Sequence, residues 1–258
     1  MSKLPHIMVA PNGARLTQRD HPALPVSISE TVACALACQA AGADGLHAHV
    51  RDARQRHVLD AGLYAELLAE LDRALPGFYA QITTEAVGQY SPADQRQLVE
   101  TLRPRAVSIA LREIDDEPDQ RITARFFAFC AESEVGVQHI LYDTEDIARM
   151  ARLVAQGTIP SDDLKALIVL GRYTPGQISS PDDLIAPAEA LLKAFPKIDW
   201  AVCAFGPGET RCLTAASMLG GKARVGFENN RLNADGSLAA DNAERVRELG
   251  AALHSADR

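Results

Sequence analysis

A pair of histidines separated by one residue stands at the end of an apolar stretch in the first quarter of the chain. The stretch reads Gly45-Leu46-His47-Ala48-His49-Val50-Arg51-Asp52, in which apolar and polar residues alternate. Because side chains point alternately to the two faces of a β-strand, His47, His49 and Arg51 are expected on one face. Two imidazoles on one face can bind a single metal ion, or they can hydrogen-bond in a polar pocket. The pair alone leaves both interpretations open.

The chain around this stretch alternates between apolar runs of strand length and longer helical patterns, eight times in all. Helix starts are marked by the capping-box spacing of Ser27 and Glu30 and by Ser-Pro pairs at Ser91 and Ser180. Eight strand–helix units in about 250 residues have the size and order of a TIM barrel, so we predict a single (β/α)8 barrel domain over residues 1–258. A doubly wound open sheet is the alternative, but the first turn lacks the glycines that it needs. The predicted strands are residues 6–11, 45–52, 78–84, 106–111, 136–142, 166–170, 200–205 and 223–227.

A third metal ligand is available at the end of the predicted eighth strand. Strand alternation places Arg224, Gly226 and Glu228 on the inward face of that strand. Closure of a barrel sets the eighth strand beside the first, so Glu228 is expected two strands away from the histidines. Two histidines and one glutamate with an open coordination position describe a catalytic zinc site, and the same set also fits non-haem iron(II). The alternative is that Glu228 pairs only with Arg224.

Polar residues are concentrated at the predicted carboxyl ends of the strands, where TIM barrels carry their active sites. Five arginines belong to this group, and on a chain of net charge -8 their clustering indicates an anionic substrate. Some of these arginines are expected to pair instead with nearby acids such as Asp52 or Asp143. The polar strand-end residues are Asn12, Arg15, His47, His49, Arg51, Thr83, Thr84, Glu85, Arg112, Asp143, Arg172, Arg224, Glu228 and Asn229.

The totals of the sequence exclude several classes of partner. The chain has 258 residues, of which 47% are hydrophobic, and its negative charge argues against nucleic acid and against an anionic membrane surface. No apolar run approaches the roughly 20 residues needed to span a bilayer, and no signal-peptide core precedes the first strand. Five cysteines without a Cys-x-x-Cys pair are expected to be reduced core residues of a cytoplasmic protein.

Three stretches, residues 10–14, 42–52 and 220–230, resemble the beta-keto acid cleavage enzyme family, whose type member is the 3-keto-5-aminohexanoate cleavage enzyme. Weaker likenesses are Thr83-Thr84, Ser108, Tyr142-Asp143 and Cys203-Ala204-Phe205-Gly206. The resemblance implies a zinc-bearing TIM barrel, usually a homotetramer. It also implies condensation of a β-keto acid with acetyl-CoA and cleavage to acetoacetate and a new acyl-CoA. His47, His49 and Glu228 would then bind the zinc, and Arg224 would be the catalytic arginine.

Departures from the family pattern mark the chain as a divergent member. The aspartate that serves as base in the type member is replaced by Asn229, which cannot accept a proton. The usual Ser-Thr-Gly-Gly after the third strand is Thr83-Thr84-Glu85-Ala86, and the glutamates of the fifth strand are absent. Glu85 is therefore a candidate base, although it could equally pair with an arginine of the mouth. Where the type member has an acid for its amino-bearing substrate, this chain has Ala14-Arg15, so we expect a neutral or acidic β-keto acid.

The sequence therefore predicts a zinc-dependent, carbon–carbon bond-cleaving acyltransferase, with acetyl-CoA as co-substrate and a homotetrameric assembly. A zinc hydrolase of the amidohydrolase type is a second possibility, since such enzymes also carry His-x-His on a barrel strand. A non-catalytic barrel that binds a small acid is a third. The predicted catalytic residues are Arg224, Glu85 and Asn229, the metal ligands are His47, His49 and Glu228, and the substrate-binding residues are Asn12, Arg15, Thr83, Thr84, Ser108 and Arg172.

Overall fold

Eight parallel strands form a closed barrel in the computed structural model, which describes residues 3–256. Each strand pairs with its neighbour in sequence, and pairing of Met8 with Arg224 between the first and last strands closes the circle. The predicted TIM barrel is thereby confirmed, and the open doubly wound sheet is excluded. The strands are β1 (Ile7–Val9), β2 (Gly45–His47), β3 (Tyr79–Thr83), β4 (Ala106–Ala110), β5 (Gly136–Leu141), β6 (Lys165–Leu170), β7 (Asp199–Ala204) and β8 (Lys222–Val225).

Helices follow the strands and start largely where the capping signals predicted. Ser27 and Glu30 form a complete capping box, as do Ser91 and Asp94. Two details differ from the prediction: a short helix directly follows β4, and the helix predicted to start at Ser180 opens with the 3₁₀ turn Pro181–Leu184. The helices are α1 (Ile28–Ala40), α2 (Ala61–Ala74), α3 (Pro92–Leu102), α4 (Leu111–Ile114), α5 (Gln120–Glu132), α6 (Thr144–Ala155), α7 (Ile185–Ala194), α8 (Glu209–Met218) and α9 (Asn242–Ala256).

Strand alternation divides the apolar side chains of the strands between two clusters. On β6, Ile168 and Leu170 belong to the large cluster between strands and helices, whereas Leu167 and Val169 belong to a smaller cluster inside the barrel. The five cysteines are all free thiols, as predicted. None of the helices within residues 3–256 has the length and apolar character needed to cross a membrane.

Most strands end one or more residues earlier than predicted, and the early ends of β2 and β8 concern the predicted metal ligands. Regular pairing of β2 stops at His47, so His49 lies just beyond the strand. β8 stops at Val225, and Gly226 adopts a φ of +141° that begins a turn. The backbone N–H groups of Asn229 and Asn230 both donate to the Gly226 carbonyl. Strand alternation, from which the inward position of Glu228 was predicted, stops at Val225, and this turn carries the glutamate instead.

Candidate metal centre and active site

His47, His49 and Glu228 meet at the carboxyl end of the barrel in spite of these shorter strands. The two Nε2 atoms are 3.2 Å apart, and the Oε2 atom of Glu228 lies 3.5 Å from that of His47 and 3.6 Å from that of His49. Within residues 3–256, these three side chains can offer ligand atoms to one ion, all within 4.8 Å of one another. The two histidines are buried and the glutamate is nearly so. The geometry thus brings together the predicted ligand set.

The backbone of His49 is held in place by Asn12, which follows β1. The side-chain amide of Asn12 donates to the His49 carbonyl at 2.9 Å and to the Pro25 carbonyl at 3.1 Å. Its oxygen accepts from the His49 N–H at 3.3 Å. Asn12 lines the cavity, but both polar atoms of its side chain are engaged in these contacts. Its predicted contact with substrate stays a prediction, and its structural contribution is to fix the backbone of His49, a predicted metal ligand.

The turn that carries Glu228 is anchored by side chains from α8, which precedes it in the chain, and from α9, which follows it. Glu209, at the start of α8, accepts from the Gly226 N–H at 3.1 Å, and Asn242, at the start of α9, accepts from the Phe227 N–H at 2.9 Å. Glu209 is itself paired with Arg245 at 2.9 Å, and neither side chain is exposed. Burial raises the pKa of Glu209 to about 7 against the opposing effect of Arg245. A buried network of hydrogen bonds and one ion pair therefore fixes the turn.

The protonation states of His47 and Glu228 are those of a metal site. Burial, followed by the charge of Arg224, holds the pKa of His47 well below its usual value, so this imidazole is neutral at pH 7. Burial alone raises the pKa of Glu228, but Arg224 and then the histidines outweigh it and hold that pKa well below its usual range. A neutral imidazole and a charged carboxylate are the forms that bind a divalent cation.

A further observation favours a cation between these groups. The Oε2 atom of Glu228 is buried and has no hydrogen-bond partner, although it belongs to a charged group. The Oε1 atom, by contrast, accepts from Arg224 at 3.1 Å. An ion placed between the histidines and Oε2 would satisfy that oxygen, and two nitrogens with one oxygen suit zinc with an open position. The residues present therefore fit a zinc ion.

A cavity of about 540 Å³ opens above the three ligand residues. Arg224 is buried in its wall, where the guanidinium contacts Cys203 and Glu228 while its Nε and Nη1 atoms lack partners. Asn229 is buried there too, with both atoms of its amide unpartnered. Unsatisfied buried donors and acceptors are costly, so these groups are suited to a polar ligand. The predicted residues that line the cavity are Asn12, Arg15, His47, His49, Thr83, Glu85, Arg172, Arg224, Glu228 and Asn229.

Other predicted residues lie outside this cavity. Thr84 and Ser108 are fully buried and do not line it, and their hydroxyls have no partner, so their substrate contacts stay predictions. Arg51 donates to the carbonyls of Asn12, Gly13 and Gln55 and stabilises the loop after β1. Arg112 pairs with Asp143 and Asp146, as expected for some arginines of the group. Three of the five predicted arginines therefore remain in the cavity: Arg15, Arg172 and Arg224.

Glu85 occupies the rim between the predicted metal ligands and solvent. Its Oε1 atom pairs with Arg15 at 3.1 Å, and its Oε2 atom lies 3.9 Å from Nε2 of His49. The side chain is 17% exposed, whereas that of Arg15 is 49% exposed, so the ion pair is weakened by solvent. The arginine contact foreseen as an alternative for Glu85 is thus present, but Glu85 remains close to the metal ligands.

Sequence reasoning missed the residues behind the histidines. Gln81 on β3 lies 2.8 Å from Nδ1 of His47, and His57 lies 3.3 Å from Nδ1 of His49. Burial, and then the neighbouring His49, lowers the pKa of His57 to about 3. Strand alternation on β3, which sets Gln81 on the face of Thr83, could have revealed the first of them. His57 has only a weaker signal, as a third histidine a few residues after the pair.

Comparisons with known proteins identify the family of the chain. A family model described as beta-keto acid cleavage enzyme matches residues 6–258. The chain is similar to the 3-oxoadipate:acetyl-CoA acetyltransferase of Cupriavidus necator, with 26% identity over 254 residues, or 95% of this chain and 87% of the relative. It is also similar to the 3-keto-5-aminohexanoate cleavage enzyme of Fusobacterium nucleatum, with 26% identity over 243 residues, or 92% of this chain and 86% of the relative.

Solved structures show the same architecture at lower sequence identity. Apo ObcA aligns with a TM-score of 0.71 and 16% identity, which covers 91% of this chain and 62% of that chain. The 3-dehydroquinate dehydratase of Geobacillus kaustophilus aligns with a TM-score of 0.63 and 14% identity, which covers 98% and 91%. At these identities the likeness concerns the barrel alone.

Proposed function

Because the chain belongs to the beta-keto acid cleavage enzyme family, we propose that it condenses a β-keto acid with acetyl-CoA and cleaves the product to acetoacetate and a new acyl-CoA. His47, His49 and Glu228 would hold a zinc ion for this reaction. The observation that carries the proposal is the convergence of these three side chains beside the buried, partly unpaired Arg224. The names of both relatives, which refer to acetyl-CoA transfer and to keto-acid cleavage, support it.

The charge of the cavity wall suits an anionic substrate. The wall contains more arginines than acids, although the whole chain is acidic. The arginines are Arg15, Arg172, Arg224 and Arg231, and the acids are Asp20, Glu85 and Glu228. Arg172 has no carboxylate partner among residues 3–256, and its guanidinium stacks on Tyr173 and Phe205 instead. Such an arginine is available for a carboxylate or a phosphate. We assign the cavity to a β-keto acid together with the end of a CoA thioester.

The chain's own residues would perform distinct tasks in the reaction. When bound, zinc would supply Lewis-acid polarisation of the keto and carboxylate oxygens. Arg224 would donate from its unpartnered Nε and Nη1 atoms to the negative charge that develops as the α-proton leaves. Asn229 cannot act as the base, because an amide does not accept the proton. Its unpartnered side-chain amide would instead hydrogen-bond the substrate. Glu85 is the carboxylate of the rim that could take it.

We expect the far end of the substrate to meet the loop after β1. Ala14 and Arg15 line the cavity there, and Asp20 is the acid of this loop that lines it and could pair with an amino group of a substrate. Asp20 is engaged by the N–H and the hydroxyl of Thr17. We therefore propose a neutral or acidic β-keto acid as the substrate.

We also propose a homotetramer, as the family resemblance implies, and a location in the cytoplasm, which the reduced cysteines favour. Light scattering of the purified enzyme tests the assembly.

The decisive experiment combines metal analysis with a screen of neutral, acidic and amino-bearing β-keto acids plus acetyl-CoA. We expect one zinc ion per chain and formation of acetoacetate that requires acetyl-CoA. Hydrolysis without CoA would favour the zinc hydrolase, and absence of both activities would favour a binding protein. His49→Ala should lose most of the zinc. His6→Ala, a change at an exposed histidine, is the matched control and should keep it.

A further inference from the structure

A short chain of hydrogen bonds leads from the metal ligand His49 outward to a main-chain carbonyl. The Nδ1 atom of His49 lies 3.3 Å from Nδ1 of His57, and the Nε2 atom of His57 lies 2.9 Å from the Glu85 carbonyl oxygen. His57 is only 4% exposed. A hairpin directly after the His-x-His stretch, with Arg51 bridged to His57, brings this ring back over His49.

The donor and acceptor of each hydrogen bond follow from the last acceptor, the Glu85 carbonyl oxygen. A carbonyl oxygen only accepts hydrogen bonds, so Nε2 of His57 must carry the proton. A neutral imidazole then has a lone pair on its other nitrogen, and Nδ1 of His57 must accept from Nδ1 of His49. That contact places the proton of His49 on Nδ1 and leaves the lone pair of its Nε2 atom facing Glu228. The orientation is the one that metal binding requires.

The other histidine is arranged in the same way by different residues. Gln138 donates to the Ala166 carbonyl at 3.2 Å and accepts from Gln81 at 3.0 Å, which turns the Gln81 oxygen toward Nδ1 of His47 at 2.8 Å. Both histidines therefore direct an Nε2 lone pair to the same point. The two Nε2 atoms are 3.2 Å apart. Two such lone pairs beside a carboxylate repel one another unless a cation lies between them.

We propose that His57 is a positioning residue that fixes His49 in its metal-binding tautomer and ring orientation. The proposal rests on the metal site of the proposed function, and it adds a residue outside the ligand set. A histidine ligand commonly donates its second nitrogen to a carboxylate, a carbonyl or water. Here a second histidine, His57, accepts that hydrogen bond and is itself held by a hydrogen bond to the Glu85 carbonyl.

The ring of His57 also packs, so the test must separate packing from hydrogen bonding. Its centroid lies 4.9 Å from that of His49 and 6.2 Å from that of Tyr90. His57→Phe keeps an aromatic ring in this position and removes both nitrogens. His57→Gln keeps one donor for the Glu85 carbonyl and one acceptor for His49. His139→Phe is the control, because His139 is a buried histidine that contacts Phe127 away from the cavity.

The experiment measures the zinc affinity of each full-length variant by competition with a chromophoric chelator, and thermal unfolding of the metal-free proteins. We expect His57→Phe to bind zinc on the order of 10–100-fold more weakly than wild type, the range for loss of such a partner. His57→Gln should recover affinity to within about threefold of wild type on the same reasoning. His139→Phe should match wild type, and the unfolding temperatures should not follow the order of the affinities.

Two results would overturn the proposal without touching the proposed function. One is a His57→Phe protein that binds zinc as tightly as wild type. The other is a His57→Gln protein that binds it more than about tenfold more weakly, which decides the matter even where the Phe variant does not fold. A wild-type protein that binds no zinc would overturn the metal site and this inference together, so the two failures are distinguishable.

Discussion

Substitution of Gly13 by alanine probes how closely the backbone after β1 approaches Glu228, the proposed metal ligand. A Cβ atom at this position would lie 2.5 Å from Cγ and 3.1 Å from Cβ of Glu228. The glutamate would have to retreat by about 1 Å to reach ordinary van der Waals contact. Catalytic constellations tolerate displacements of only about 0.5 Å. We therefore expect Gly13→Ala to weaken zinc binding.

The cost in stability has two parts that a second variant separates. Gly13 has a φ of +56°, so alanine there loses about 1–2 kcal/mol to the left-handed conformation, and the overlap with Glu228 adds about 1–3 kcal/mol. Gly157 has a φ of +74° but open space around its Cα. Gly157→Ala should therefore lose only the first part. Denaturant unfolding of the metal-free proteins measures both losses.

Zinc competition with a chelator completes the comparison. Gly157→Ala should bind zinc like wild type, whereas Gly13→Ala should bind it at least about tenfold more weakly, a loss of the size seen when the support of a ligand is disturbed. The reasoning would be refuted by a Gly13→Ala protein that matches Gly157→Ala in both stability and zinc affinity. Such a result would mean that Glu228 can move aside without leaving the ion.

Three further predictions concern the base, the substrate and the response to pH. Glu85→Gln should lower kcat by about 10²–10⁴-fold with unchanged zinc content, as expected for loss of a general base, whereas Glu113→Gln, outside the cavity, should not; near-normal turnover of the Glu85 variant would remove it as base. Arg15→Ala should raise KM for acidic β-keto acids more than for neutral ones, and an unchanged preference would make Arg15 a structural partner of Glu85 alone. Burial, and then Lys165, lowers the pKa of His139 to about 4. Below about pH 6.5 His139 is therefore protonated in the unfolded chain while it stays neutral in the folded chain. This contribution to stability is complete above pH 6.5 and is lost toward pH 4, by about 3 kcal/mol. Unfolding of metal-free His139→Phe should show a correspondingly smaller loss between pH 7 and pH 4, and an unchanged pH dependence would contradict the argument.

Local patterns in the sequence determined the architecture and much of the site. Alternating strands, helix caps such as Ser27 with Glu30, and polar residues at strand ends depend on neighbours in sequence, so they could be identified without the structure. Once eight strands close into a barrel, their carboxyl ends must meet at one rim. The juxtaposition of His47 and His49 with Arg224 follows from that rule and from strand alternation.

Contacts between distant parts of the chain decided the rest. Glu228 reaches the histidines through a turn held by Glu209 and Asn242, and neither of these residues has a local signal for that task. Whether an arginine faces the cavity or a neighbouring acid was equally undecided, because Arg172 and Arg112 both follow strands and only packing separates them. The same holds for His57, whose hairpin places it behind His49. Sequence periodicity assigns a side chain to a face, whereas its partner on that face depends on tertiary distances that no local pattern contains.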